Sequence, residues 1–331
     1  MNTRRAAGAM TWVKAAVTKR DSRLHPPPNA PTASPMDRPI APNPRLAVGF
    51  MLAACALIAA STLMAKLAGT SALGDPLHPL QVSHGRFLFA WMLIASLAVI
   101  LRLRITRPNL PMHALRTFAG WAGVSLMFAA VAFIPMADAT AISFLNPVFA
   151  MMLAIPLLGE KVGPVRWSAA GIALVGALVL LRPTPASFQP AALLALAAAL
   201  AMGLEITLIK LLSGRETWLQ ILFINNSFGL VIASVAVLPF WTMPSPAQWA
   251  ALAGVGLFMA CAQMCYVNAM ARAEASFIVP FAYATLIFAA AFDMAVFARI
   301  PDAITTLGAV IIVAGAALLA WREARLRKPA A

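Results

Sequence analysis

Residues 134–142 read IPMADATAI, and residues 270–278 read MARAEASFI. In both stretches an acid is followed by an alanine and then by a hydroxyl residue. Gly120 and Gly256 precede these stretches at the same distance along the chain. One unit therefore occurs twice, and this duplication decides the fold.

The composition is that of a membrane protein. Of the 331 residues, 62% are hydrophobic and 11% are charged, and the mean hydropathy is +0.84. A soluble domain is about half apolar and about a quarter charged. The excess of apolar side chains is therefore expected to face lipid.

Ten apolar segments have the length of a membrane span. A spanning helix needs about 20 predominantly apolar residues, because the hydrocarbon cannot satisfy a free backbone amide. The sequence predicts spans at 46–67, 79–101, 114–134, 139–158, 165–181, 190–212, 218–240, 247–270, 275–298 and 303–321.

The ten spans divide into two repeats of five, 46–181 and 190–321. Five is an odd number, so the second repeat must enter the membrane upside down relative to the first. Inverted repeats of this kind are common in secondary transporters. The predicted fold is therefore an all-α polytopic membrane protein of ten transmembrane helices in two inverted five-helix repeats.

The net charge of +14 reflects membrane topology. Of the 25 Lys and Arg residues, 8 precede Leu46 and 4 follow Trp321. With both termini in the cytoplasm, most of the remaining basic residues fall in cytoplasmic loops, and the outer loops hold only Arg182 and Arg299. This asymmetry follows the positive-inside rule and predicts a multi-pass protein of the inner (plasma) membrane. Nucleic acid is not an expected partner.

The two tails differ from the rest of the chain. Residues 1–45 are basic and rich in proline, and a disordered, solvated segment is expected there. A transit peptide, a lipid-facing arm or a true start at Met36 are alternative interpretations. Residues 322–331 form a second basic tail, also predicted to be cytoplasmic.

Several motifs resemble those of a known family. ADATAISFLNP at 137–147, LGEK at 158–161 and GIALVG at 171–176 are similar to motifs of the EamA family in the drug/metabolite transporter superfamily. The resemblance implies ten helices, cytoplasmic termini and transport of metabolites or drugs. It leaves the substrate open, since members carry amino acids, nucleosides, vitamins or S-adenosylmethionine. The second copy departs from the first, because VFAR at 296–299 replaces the Gly-Glu motif.

Basic residues inside the spans are the first candidates for a substrate pathway. Charged groups in a span cost a few kcal/mol, about 3, unless they face a cavity or a partner. Arg86, with His84 beside it, could bind a substrate carboxylate or phosphate, or could instead bond to helix carbonyls. Lys66 could also contact a substrate, or its side chain could extend to the lipid headgroups at the end of its helix.

Acidic residues inside the spans are the second set of candidates. Glu205 and Asp293 could bind a cation or cycle a proton. Glu205 could instead neutralise Lys210 or Arg215, and Asp293 could be an interfacial group near Arg299.

Neutral polar residues complete the candidate site. Asn225, Asn226, Gln263 and Asn268 could face the pathway or join helices by hydrogen bonds. Asn146 precedes Pro147, and Pro280 interrupts the corresponding span of the other repeat, which is typical of a transporter site. Tyr283 could stack on a substrate or pack in the core.

The sequence offers little support for an enzyme. The four histidines are His25, His78, His84 and His113. The three cysteines, Cys55, Cys261 and Cys265, all lie in apolar segments. No metalloprotease or phosphate-loop motif is present, so no catalytic residue, metal or cofactor is expected. A secondary transporter working by alternating access is favoured over a regulatory membrane protein. Its expected partners are a small-molecule metabolite and the lipid bilayer, and a coupling proton or cation and a homodimer are compatible with this interpretation.

Overall fold

The computed structural model describes residues 42–106, 108–131, 133–134, 139, 142–182, 190, 192–297 and 302–326. Within these ranges the chain is helical and forms no strand. The helices are α1 (Pro44–Ala68), α2 (Pro79–Ile100), α3 (Leu110–Val131), α4 (Asn146–Leu158), α5 (Pro164–Leu181), α6 (Ala192–Ser213), α7 (Trp218–Val237), α8 (Pro246–Arg272), α9 (Ala275–Ile278), α10 (Ala284–Phe297) and α11 (Ala303–Leu326). The predicted disordered tail up to residue 41, Asp138 of the repeated motif, Arg299 and the end of the basic tail at 327–331 lie outside the described residues.

Each of the ten predicted spans contains a helix. Seven stretches are long and apolar enough to cross a membrane: Pro44–Ala68, Pro79–Ile100, Pro164–Leu181, Ala192–Ser213, Trp218–Phe240, Pro246–Arg272 and Ala275–Val296. Asn146–Leu158 and Thr306–Arg322 are shorter apolar helices. A multi-pass helical membrane fold is therefore established, and ten crossings stay a prediction.

The helices differ from the sequence prediction at three places. The fourth predicted span, 139–158, is interrupted by a turn at Phe144 and Leu145, and α4 begins at Asn146. The third helix begins at Leu110, not at residue 114. Its first turn is helped by Asn109, whose carbonyl accepts hydrogen bonds from Met112 and His113. This earlier start places Arg116 well inside the helix. The predicted ninth span is broken into α9, a 3₁₀ turn at Val279–Tyr283 and α10, because Pro280 cannot donate a helical hydrogen bond.

The helices pack in matched pairs across the two halves. Helix α1 packs on α8 and α10, while α6 packs on α3 and α4. Helix α2 packs on α7, and α5 packs on α11. The amide of Asn43, beside the start of α1, donates to the carbonyl of Arg272 at the end of α8 over 3.0 Å. We call this end of the bundle the proximal end, and the end near Ala68 the distal end.

The two interrupted helices contact each other inside the bundle. The Tyr283 hydroxyl donates to the Phe144 carbonyl over 2.8 Å, and the two rings stack with centroids 5.9 Å apart. The Cys55 thiol of α1 donates to the Phe281 carbonyl in the same 3₁₀ turn, over 3.6 Å. Side chains thus satisfy carbonyls near both breaks, as a lipid-embedded structure requires.

The contact between α5 and α11 supplies a test of this packing. A Cβ at Gly176 would lie 2.7 Å from the Ile312 amide nitrogen, whereas one at Gly171, on the same helix, meets nothing within 4 Å. We expect Gly176→Ala to destabilise the protein by about 1–3 kcal/mol through overpacking, and Gly171→Ala to have little effect. Thermal denaturation of both variants in detergent measures the difference. Equal melting temperatures for the two variants would contradict this packing.

Candidate functional site

A cavity of about 220 Å³ lies within the bundle between α1, α3, α6 and α8. Its lining residues are Ile58, Arg116, Glu205, Ile206, Ile209, Met259, Ala262, Gln263, Tyr266 and Val267. Arg116 is six residues from the start of α3, which places it about 9 Å inside the helix at 1.5 Å per residue. The cavity is therefore lined by helices of both halves and lies nearer the proximal end.

A pair of opposite charges forms one wall of the cavity. Arg116 is only 2% exposed, and its Nε lies 4.0 Å from Oε1 of Glu205. This distance is an ion pair without a hydrogen bond. Within the part of the chain that the structure describes, Nε and Nη1 of Arg116 have no hydrogen-bond partner.

Gly120 makes room for this pair. It follows Arg116 by four residues and so lies on the same face of α3. A Cβ at this position would lie 2.8 Å from Oε2 of Glu205. Gly120, which has its counterpart Gly256 in the second copy, therefore lets the Glu205 carboxylate lie close to α3.

Arg116 is not among the site residues predicted from the sequence, since it lies two residues from the start of the predicted span 114–134. The spacing from Arg116 to Gly120 is the sequence signal that could have identified it. Tyr266 was also missed, since a tyrosine in an apolar helix has no distinguishing neighbour. Both side chains line the cavity.

Glu205 interacts with arginines and not with the partners considered for it. Arg116 and Arg86 both act on its carboxylate electrostatically. The ammonium group of Lys210 instead donates to the carbonyl of Met270 over 2.6 Å and to that of Ala273. The predicted alternative that Glu205 pairs with Lys210 is therefore wrong. The carboxylate of Glu205 instead lines the cavity.

Two of the predicted amides meet at the cavity. Asn226 Nδ2 donates to Gln263 Oε1 over 3.1 Å and to the Leu222 carbonyl over 2.8 Å. Gln263 lines the cavity, and Asn225 is buried beside Asn226 on α7. The structure thus brings Glu205, Gln263 and Asn226 to one region.

The other predicted residues lie elsewhere. Lys66 and Asp293 are ion-paired at 2.9 Å near the distal end, so two candidates are partners of each other. His84 packs edge-on against Trp241, with ring centroids 5.6 Å apart. Asn268 accepts a hydrogen bond from Arg272 over 2.7 Å at the proximal end.

The two residues next to the helix breaks also lie outside the cavity lining. Asn146 is the first residue of α4, and its carbonyl would lie 3.1 Å from a Cβ placed at Gly203. Tyr283 is fully buried and stacks on Phe144. Their contacts are with other parts of the protein rather than with the cavity.

A group of contacts joins the two halves at the proximal end. Glu160 accepts hydrogen bonds from the amides of Ala275 and Ser276 over 2.8 and 2.9 Å. Arg166 is ion-paired with Glu274 and donates to the Ser276 hydroxyl over 2.7 Å. We call these five residues the proximal clasp.

A second polar cluster surrounds Glu216, in the connection between α6 and α7. Its carboxylate accepts from the Asn109 amide over 2.9 Å and from Gln220 Nε2 over 2.7 Å. His113 Nε2 lies 2.8 Å from it. Burial alone would raise the pKa of Glu216, but these hydrogen bonds outweigh burial and hold the pKa below its ordinary value.

Within the described ranges, no three His, Cys, Asp or Glu side chains are grouped to hold a metal ion. The polar groups of the cavity are instead a guanidinium, a carboxylate, an amide and a phenol. Such groups bind polar organic molecules by charge and hydrogen bonds.

The family model of EamA-like transporters matches residues 45–182 and again residues 189–321. The chain belongs to the EamA-like transporter family. The repeated match falls on the two halves of the helix bundle. The resemblance found in the sequence is therefore confirmed.

Several relatives of known name are transporters. A riboflavin transporter of Vibrio cholerae is 32% identical over 223 residues, which are 65% of this chain and 74% of that protein. An S-adenosylmethionine uptake transporter of Rickettsia prowazekii is 25% identical over 252 residues, covering 76% of this chain and 86% of that one. A pseudopaline exporter of Pseudomonas aeruginosa is 25% identical over 231 residues, covering 66% and 80%.

A solved crystal structure shares the fold. It superposes with a TM-score of 0.73 at 17% sequence identity, and the match covers 85% of this chain and 99% of that one. The protein is thus a multi-pass membrane transporter by family and fold.

The Glu216 cluster predicts a pH-dependent stability. A carboxyl whose pKa is lowered on folding stabilises the protein above its unfolded pKa of about 4.3, and this contribution disappears as pH falls through the folded pKa. We expect Glu216→Gln to lower stability at pH 7 by about 1.5–3 kcal/mol, the cost of hydrogen bonds to a charged group. The difference from wild type should shrink as pH falls through the folded pKa.

Thermal denaturation from about pH 8 down to about pH 2 measures this effect, because the series must pass below the lowered pKa of Glu216. Arg215→Gln is the matched control, because Arg215 is the neighbouring residue and is exposed. A loss of stability in Glu216→Gln that is the same at every pH would contradict the role of the charge.

Proposed function

We propose that the protein is a secondary transporter that moves a small organic metabolite across the inner membrane by alternating access. The observation that carries this proposal is the Arg116–Glu205 pair in a cavity that both halves enclose. Charged groups deep in a membrane bundle are costly and mark substrate or ion pathways. The family supports the class, and the different compounds named for the relatives support a small organic molecule as substrate.

The proposed architecture is ten spans in two inverted repeats, with both termini in the cytoplasm. The helix pairs support it, because each has a counterpart in the other half. Packing of α1 on α8 corresponds to packing of α6 on α3, and α1 on α10 corresponds to α6 on α4. Such exchange is what a two-fold axis between inverted repeats would produce. The loop charges support the orientation.

In this proposal the proximal clasp is the inner gate. Its contacts connect the α4–α5 connection of the first half with the start of α9 in the second half. A charge-assisted hydrogen bond contributes about 1.5–3 kcal/mol. The two such bonds to Glu160 therefore stabilise the closed state of this gate.

The distal end is held by two ion pairs and by hydrogen bonds of the buried side chains of Gln81 and Gln248 to the other half. Lys66 pairs with Asp293, and Arg182 pairs with Asp302, each between the two halves. All four side chains are about 40–50% exposed, and exposed pairs contribute about 0–1 kcal/mol each.

Glu205 is the proposed coupling group. A proton on its carboxylate would remove its attraction for Arg116 and free the guanidinium for a substrate. Proton uptake and substrate binding would then be linked through one ion pair.

The first test is transport by variants of this pair. Purified protein in proteoliposomes is offered a library of labelled metabolites, with and without a pH gradient. Arg116→Gln and Glu205→Gln should each reduce uptake of the transported compound at least about tenfold, since a lost charge interaction of about 1.4 kcal/mol has that effect. Glu205→Gln should also abolish the response to the gradient.

The matched controls change the same residue types at exposed positions. Arg104→Gln and Asp75→Asn lie outside the cavity lining and should transport normally. Full transport by both cavity variants would remove Arg116 and Glu205 from the mechanism.

The second test concerns the proximal clasp. In a Cys261→Ala, Cys265→Ala background, Ile209→Cys provides a label site in the cavity lining. We expect Glu160→Gln to raise its reaction rate with an impermeant maleimide added from the cytoplasmic side, because the inner gate opens more often. Loss of about 1.4 kcal/mol corresponds to about a tenfold rise.

Asp302→Asn is the control for this test, since it weakens a pair at the distal end. It should leave labelling from the cytoplasmic side unchanged. An equal rise in both variants, or no rise in Glu160→Gln, would contradict the gate.

A further inference from the structure

We propose that the cavity binds a small organic monoanion. The carboxylate of this ligand binds Arg116 and replaces the Glu205 carboxylate as its ionic partner. This inference rests on the proposed transport function, because the anion would be the transported substrate. Binding of the anion can nevertheless be measured without transport. Its observations are the unpartnered donors of α3, the balance of charge and the size of the cavity.

The unpartnered polar atoms of the site are concentrated on one turn. In the described part of the chain, the buried side-chain N and O atoms without a hydrogen bond are His113 Nδ1, Arg116 Nε, Arg116 Nη1 and Thr117 Oγ1. All belong to residues 113–117 of α3. A buried donor without an acceptor costs about 1–3 kcal/mol. Arg116 is the one residue of this group that lines the cavity, so its two unpartnered donors could meet an acceptor supplied by a ligand.

Glu205 does not supply that acceptor. Its Oε1 is 4.0 Å from Nε, and its side chain is 29% exposed. The carboxylate thus balances the charge of Arg116 without binding it closely. A ligand carboxylate could approach the guanidinium to hydrogen-bond distance and form the stronger contact.

The charge around the cavity favours an anion. Two guanidiniums, Arg86 and Arg116, act on the one carboxylate of Glu205. Lys210 is bonded to carbonyls, and Glu216 is held in its own cluster outside the lining. A bound monoanion would neutralise the excess positive charge in a region of low dielectric, whereas a bound cation would increase it.

The size and walls of the cavity limit the rest of the ligand. A cavity of about 150 Å³ holds a benzene molecule, so about 220 Å³ accommodates a single ring or a short chain with a carboxylate. Ile58, Ile206 and Met259 form apolar walls, and Gln263 and Tyr266 offer further hydrogen bonds. The predicted ligand is therefore a compact anion with an apolar body.

Three probes of the same shape test the charge. Benzoate, benzamide and benzylamine differ mainly in being an anion, a neutral molecule and a cation. We expect benzoate to bind the purified full-length protein in detergent at least about tenfold more tightly than either of the others. Isothermal titration gives the affinities, and thermal stabilisation of the folded protein provides a second measurement.

Two variants separate the roles of the pair. Arg116→Lys keeps the positive charge but loses the planar fork, and should weaken benzoate binding about tenfold or more. Glu205→Gln removes the competing carboxylate and should strengthen benzoate binding. Arg104→Gln and Asp75→Asn, at exposed positions, should leave it unchanged, and gel filtration with circular dichroism establishes that each variant is folded.

Three results would overturn the proposal. They are absence of benzoate binding at millimolar concentration to folded wild-type protein, tighter binding of benzylamine than of benzoate, and loss of benzoate binding in Glu205→Gln. Binding as expected without transport of any metabolite would instead refute the transport function and leave the anion site standing. Transport of a compound with which benzoate does not compete would refute the anion site alone.

Discussion

Inside a bilayer no water is available to a backbone carbonyl or a charged side chain, so the chain must satisfy each such group itself. This constraint explains the contacts at the two helix breaks. The Phe144 carbonyl accepts from Tyr283, and the Phe281 carbonyl accepts from the Cys55 thiol. Each break is thereby stabilised by a side chain from a helix distant in sequence. Tyr283, which could have been a substrate contact by sequence, is a partner of the backbone.

The same constraint places the charges. Lys66 with Asp293, Arg182 with Asp302, and Arg166 with Glu274 all lie near the ends of the bundle, where headgroups and water lower the cost of charge. Arg116 and Glu205 lie deeper, and their cost must be recovered in another way. In the proposed function, contact of the pair with a polar ligand in the cavity offsets this cost.

The two halves are similar in architecture and different in chemistry. Helix pairs have counterparts across the bundle, but the Gly-Glu motif that contains Glu160 in the first copy is replaced by VFAR at 296–299 in the second. The first copy therefore caps a helix of the second through two backbone amides. At the opposite end the halves are joined by exposed ion pairs and by hydrogen bonds of the buried side chains of Gln81 and Gln248.

The sequence by itself determined the membrane environment, the positions of the helices and the family. These depend on long apolar runs, prolines and a repeated motif, which are local features of the chain. It also predicted Glu205, Gln263 and Asn226 as pathway residues, because polar groups are conspicuous in apolar helices, and the structure places all three in one region. The partners of these groups were decided by the tertiary structure alone. Lys66 pairs with Asp293, and Glu205 pairs with Arg116, and in each pair the two residues lie on helices that are distant in sequence. Spacing along the chain does not predict which helices become neighbours. Arg116 lies only two residues from the start of its predicted span, and the early start of α3 and the packing of α6 against Gly120 place its charge inside the cavity.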